Sequence, residues 1–74
     1  MDIEVRLFAT FRNGRFNRQV LQLPDASRIS DICRNLTIQP HEIAICLVNG
    51  HDSRPDQTVK SGDCVSLFPA VGGG

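Results

Sequence analysis

From Asp2 to Phe8 the chain alternates: Ile3, Val5 and Leu7 are apolar, while Asp2, Glu4 and Arg6 are charged. A period of two marks a strand with one face buried. A second β-like run extends from about Phe16 to Leu23, after Arg12-Asn13-Gly14-Arg15. Asn-Gly between two such runs predicts a tight hairpin, because both residues accept positive φ. Pro24 closes the second strand, since it has no N–H to give to a ladder. The period then changes to that of a helix, with Ile29, Ile32, Cys33 and Leu36 at i, i+3, i+4 and i+7. Ser27 is the candidate N-cap, and Asp31 lies in the first turns, where negative charge suits the helix dipole. The helix must be short: Thr37 and Ile38 are β-branched and Pro40 blocks continuation.

Ile43 to Val48 is apolar at every position, which predicts a strand covered on more than one side, and Asn49-Gly50 turns the chain again. His51 to Gln57 is polar and reads as loop plus a short edge strand. Val59 supplies one core contact before the turn Ser61-Gly62-Asp63, and Cys64 to Phe68 forms the last strand, ended by Pro69. A hairpin, a helix and further strands around one core make an α+β fold, with one short helix across one face of a mixed sheet of four to five strands. The right-handed crossover rule pairs the last strand in parallel with the first, near the middle of the sheet, and so puts Phe68 beside Phe8. The reading is one domain over residues 1–74, with 69–74 as an extended tail.

Size and charge narrow the function. Seventy-four residues leave little room for a deep enzyme pocket as well as a core. The formal net charge is zero, so no general field steers nucleic acid or an anionic membrane toward the chain. Arg12, Arg15 and Arg18 surround the first turn without an aromatic stacking pattern, which reads as a solvated basic loop. No apolar run is long enough to span a bilayer, and Met1-Asp2-Ile3-Glu4 does not resemble a targeting segment, so a cytoplasmic location and no membrane partner are expected. Cys33, Cys46 and Cys64 are odd in number and widely spaced, and are expected to be reduced, buried and inert. His41 and His51 have no convergent ligand set, so no metal is expected. Neither a paired-carboxylate motif nor a phosphate loop is present, and an independent enzyme is not expected.

What remains is the ending, Phe68-Pro69-Ala70-Val71-Gly72-Gly73-Gly74. Three glycines offer only backbone and an α-carboxylate, on a tether able to take almost any φ/ψ and enter a narrow channel. With the strand order above, this ending resembles the ubiquitin-like β-grasp sulfur carriers, namely the small subunit of molybdopterin synthase and the thiamine-pathway carrier. The most specific element is the ending itself, which looks like the molybdopterin-type Phe-Pro-Pro-Val-x-Gly-Gly, with Gly72 at the variable position and Gly73-Gly74 as the functional pair. Leu7-Phe8-Ala9, Val48-Asn49-Gly50 and Gly62-Asp63 also match the family pattern. Two features depart from the molybdopterin-type pattern: a shorter segment before Ile43, and Cys64 where a charged residue is common.

The resemblance implies a protein cosubstrate that binds no cofactor of its own. A ubiquitin-activating-like adenylyltransferase would use ATP to adenylate Gly74, and a sulfur donor would displace AMP to leave a thiocarboxylate. The acceptor would be the large subunit of molybdopterin synthase or, in a thiamine pathway, thiazole synthase. Gly73 and Gly74 would carry the chemistry, and Phe8, Phe68, Pro69, Val71 and Gly72 would meet the partners. Molybdopterin synthesis is favoured by Phe68-Pro69-Ala70-Val71. Two alternatives share the same fold: a protein modifier joined to target lysines through Gly74, and a plain interaction domain with an inert tail.

Overall fold

The computed structural model describes residues 1–70; Val71, Gly72, Gly73 and Gly74 lie outside the described residues. The strands are β1 (Asp2–Leu7), β2 (Arg18–Gln22), β3 (Ile43–Val48), β4 (His51–Asp52) and β5 (Cys64–Pro69), with one helix, α1 (Ile29–Asn35), between β2 and β3. They form one mixed sheet in the order β2-β1-β5-β3-β4. As expected, β5 lies in the middle and runs parallel to β1, with Val5 opposite Val65 and Leu7 opposite Leu67. The inward residues Ile3, Val5, Leu7, Val65 and Leu67 are fully buried against Ile29, Ile32 and Cys33 of α1. Burial of each large aliphatic side chain is worth about 1.5–3 kcal/mol. Val59, Ile38, Phe11 and Leu23 close the margins of this core.

The first connection is not a tight hairpin. After β1 the chain makes a 3-10 turn, Ala9–Arg12, which drives Phe11 into the core. Only then does it turn at Asn13-Gly14, and Asn13 keeps φ −64° while Gly14 takes +69°. With the Arg15 N–H on the Arg12 carbonyl at 3.0 Å, this is a type II turn, in which only the third residue needs positive φ. β2 therefore begins at Arg18, later than expected. Asn49-Gly50 does behave as predicted: both residues have positive φ and join β3 to β4.

A seven-residue helix is marginal alone, so its ends need partners. Its N-cap is Arg28 rather than Ser27, whose hydroxyl instead donates to the Pro24 carbonyl at 2.7 Å. The first helical N–H groups donate outward, Ile29 to the Gln57 carbonyl and Ser30 to the Pro55 carbonyl, while Asp31 accepts the Arg28 N–H at 2.8 Å. At the other end the Ile38 N–H reaches the Cys33 carbonyl and the Thr37 N–H reaches that of Arg34, a Schellman ending. Thr37 fills the left-handed position at φ +60°, where a β-branched residue is strained. Its side chain is exposed and little packing would be lost, so Thr37→Gly is expected to stabilise the protein by about 1 kcal/mol. Thermal unfolding should show a midpoint about 5 °C higher; an unchanged or lower midpoint would contradict the strain.

Arg15 completes this cap. Its guanidinium donates to the Leu36 carbonyl at 2.9 Å, to that of Thr37 at 3.3 Å and to that of Phe11 at 3.2 Å. The residue read as part of a solvated basic loop ties the first connection to the helix end.

Candidate functional site

All of the helix lies on one side of the sheet, which leaves the other face without a covering layer. The expectation that β3 is covered on more than one side is therefore wrong. Cys46 and Val48 point into the core, while Ala44 and Ile45 are exposed, Ile45 to 47%. A uniformly apolar strand does not reveal in sequence which of its faces lacks a neighbour.

On this open face, at the end of β5 that leads to the tail, Phe8 and Phe68 stack with ring centroids 4.2 Å apart and planes 10° apart. The Phe8 N–H on the Leu67 carbonyl at 3.2 Å fixes the chain leaving β1 beside β5. The Arg12 guanidinium lies 5.3 Å above the Phe8 ring and donates through Nε to the Leu7 carbonyl at 2.7 Å. Ile45 is the cross-strand partner of Phe68, so it extends the aromatic pair into an apolar row across three strands. Both residues are half-buried. Sequence reasoning found the Phe8–Phe68 pair but missed Ile45 and the position of Arg12. The exposure of Ile45 depends on the register shift between Ile43 and Ile45, for which the sequence carries no marker.

The next row is charged. Arg6 and Arg18 stand opposite each other on β1 and β2, and Glu4 accepts from Arg6 Nε at 2.6 Å. The Arg6 hydrogen bond holds the Glu4 carboxyl below the usual carboxylate range. Cys64 is not buried as expected but half-exposed on this face, with its thiol 3.6 Å from Glu4. Burial nonetheless raises its pKa, and the thiol donates a hydrogen bond to the Glu4 carboxylate, which further favours the protonated form over a thiolate. Cys33 and Cys46 are buried in the core; burial, with Cys46 nearby, pushes the Cys33 thiol up to about 11. Cys46 is raised chiefly by burial, and its Sγ donates to the Ser53 carbonyl at 3.0 Å. His41 and His51 are exposed, and no group of metal-ligating side chains gathers among the described residues.

Pro69 is the final residue of β5, opposite Ile43, so the strand runs one residue further than expected. The Ala70 N–H then donates to the Glu42 carbonyl at 2.8 Å, which holds the chain to the 3-10 turn Pro40–Glu42 as it leaves the sheet. Of the expected site, Phe8, Phe68 and Pro69 come together at this exit. Val71, Gly72, Gly73 and Gly74 lie outside the described residues.

A five-stranded mixed sheet grasping one helix, with an apolar row beside the exit of its central strand, defines a ubiquitin-like β-grasp protein. The ThiS family model matches residues 5–74, and the chain belongs to that family. No curated protein matches it in sequence. Among solved structures it is similar to a protein assigned as subunit 1 of the molybdopterin-converting factor of Pyrococcus furiosus, at 24% identity and TM-score 0.76, over 96% of this chain and 99% of that one. It is similar to small archaeal modifier protein 1 of Haloferax volcanii at 20% identity and TM-score 0.76, over 95% and 98%. A complex of subunits 1 and 2 of the molybdopterin-converting factor of Helicobacter pylori is similar at 23% identity and TM-score 0.64, over the full length of both chains. At these identities the likeness shows the fold. No helix among the described residues is long and apolar enough to cross a membrane.

Proposed function

We propose that this chain is a cytoplasmic sulfur carrier whose Gly74 carboxylate is adenylated by a partner enzyme and converted to a thiocarboxylate for molybdopterin biosynthesis. The observation that carries this reading is the stacked Phe8–Phe68 pair with Ile45 on an uncovered sheet face, at the root of a Gly-Gly ending. That arrangement supports docking beside a channel that the tail enters. The aromatic pair supplies a rigid apolar anchor, and Arg6, Arg12 and Arg18 favour a partner surface with carboxylates around an apolar ridge.

A carboxylate is a poor electrophile; adenylation supplies AMP as a leaving group, and sulfur displaces it. ATP binding and acid–base chemistry belong to the partner, and this chain acts as cosubstrate. The sulfur acceptor would be a large synthase subunit, which accords with the two-subunit complex of the Helicobacter pylori relative. Two other uses of the same carboxylate have support: delivery to thiazole synthase, from the ThiS family match, and conjugation to lysine, from the likeness to the archaeal modifier.

The test is the intact mass of the protein after incubation with its genome's ubiquitin-activating-like enzyme, ATP and sulfide. The expected gain is that of one sulfur replacing one oxygen, localised to Gly74. No gain, with an activator proven on another carrier, would refute the sulfur-carrier reading.

A further inference from the structure

Arg6 and Arg18 are direct cross-strand partners on β1 and β2, and both are exposed on the uncovered face. Like charges placed opposite each other lie about 5 Å apart at Cβ and weaken a strand pair instead of holding it. Glu4 is the carboxylate at hand, and Arg6 takes it through Nε at 2.6 Å. Arg18 stands on the diagonal from Glu4, about 7–8 Å away between Cβ atoms. It lowers the Glu4 pKa through its charge alone, and less than Arg6 does. Two guanidiniums therefore share one carboxylate.

The arrangement is half of an ion-pair network. Among the described residues no ion pair engages Arg18, and Arg6 makes no hydrogen bond through either Nη. A guanidinium held at Nε still presents its terminal nitrogens, in a fixed fork, to a second acceptor. The site also adjoins the apolar row, because Arg6 precedes Phe8 by two residues, about 7 Å along the same face of β1.

The charge on this face is polarised. From Arg18 and Arg6 the row crosses Ser66 and Leu47 and ends on Asp52 of β4. Positive charge is thus gathered over β1 and β2, and the carboxylate of Asp52 stands four strand spacings from Arg18, about 19 Å. A surface of this kind accepts an acidic group in one orientation and repels it in the reversed one.

We propose that Arg6 and Arg18 clamp one acidic side chain of the adenylating enzyme, and that this clamp sets the direction in which the enzyme lies across the sheet. The proposal deepens the docking surface described above and rests on the activation of Gly74. The adenylating enzyme is the partner because sulfur transfer and conjugation to lysine both pass through it. Its carboxylate bridges the two guanidiniums, supplies the negative charge that Glu4 cannot share, and turns repulsion across β1 and β2 into attraction. The apolar row anchors the enzyme in either direction, whereas the clamp and Asp52 admit only one.

The experiment follows adenylation of the full chain by its adenylating enzyme and ATP, at ionic strengths of about 0.05 and 0.5 M, which span weak and strong screening. The parent is compared with Arg18→Gln and with Arg54→Gln, which removes the same charge from the loop bonded to the start of α1. Arg18→Gln is expected to raise KM about 10-fold at the lower ionic strength with kcat retained, and to lose most of that difference at the higher one. It should also lift the unfolding midpoint by about 1–3 °C, since it relieves the like-charge pair. Arg54→Gln should match the parent in KM. Arg18→Lys keeps the charge and places an amine on β2, which a carbodiimide is expected to couple to an Asp or Glu of the enzyme; the parent, whose only lysine is Lys60, gives no link from this strand. With the parent adenylated, an unchanged KM for Arg18→Gln, an equal loss for Arg54→Gln, a raised KM with a lowered unfolding midpoint, or no link from position 18 to the enzyme would each overturn the clamp alone. A parent chain that is not adenylated would overturn the activation of Gly74 and the clamp with it.

Discussion

Phe68→Arg is expected to weaken binding of both the adenylating enzyme and the sulfur acceptor by about 30-fold or more, which corresponds to the roughly 2 kcal/mol typical of a central aromatic anchor. The same substitution should cost the isolated protein only about 1 kcal/mol, because what it removes internally is one stacked pair on an open face. The comparison is what makes the prediction specific. A residue that served mainly the core would lose stability and binding together, as truncation of the buried Leu67 on the opposite face should, at about 2–5 kcal/mol. Titration of each partner against the parent and substituted proteins, with thermal unfolding in parallel, gives both quantities. Unchanged affinity for both partners would remove the apolar row from the docking surface.

Gly74→Ala is expected to leave the unfolding midpoint unchanged and to slow thiocarboxylate formation by about 100-fold. The added methyl group lies where the carboxylate must meet an adenylating centre, and it also narrows the φ/ψ the residue can adopt. Rate measurements with sulfide, the activator and ATP would check this, provided docking through Phe68 is confirmed intact for the substituted protein. Sulfuration as fast as in the parent would mean that the activating channel does not select for glycine.

Much of this arrangement was legible in the sequence because local signals and topology agreed. Ile3, Val5 and Leu7 alternate with charges and are the inward row of β1. Asn49-Gly50 is flanked directly by paired residues, Val48 and His51, so its turn preference decides the connection. Asn13-Gly14 carries the same dipeptide, but the 3-10 turn ahead of it consumes residues that a tight hairpin would have paired, and burial of Phe11 outweighs the local preference. Ser27 has the chemistry of an N-cap but lies in a tight turn with the Pro24 carbonyl close by, and its hydroxyl is taken there. Of the candidate site, Phe8 and Phe68 followed from one inference, that the first and last strands run parallel side by side. Ile45 and Arg12 did not, because one depends on a break in register and the other on the orientation of a short 3-10 turn.

The position of β5 bears on how the molecule responds to force. A tail drawn into a partner's channel transmits tension to the strand from which it emerges. β5 is bonded along both edges, to β1 in parallel and β3 antiparallel, and the Ala70 N–H adds a further bond to Glu42 at the point of exit. Tension along its axis loads the hydrogen bonds of both ladders together in shear, whereas an edge strand would have a single ladder to bear the load. The carrier can therefore be gripped and withdrawn by its tail while the apolar row at the base of that tail keeps its shape.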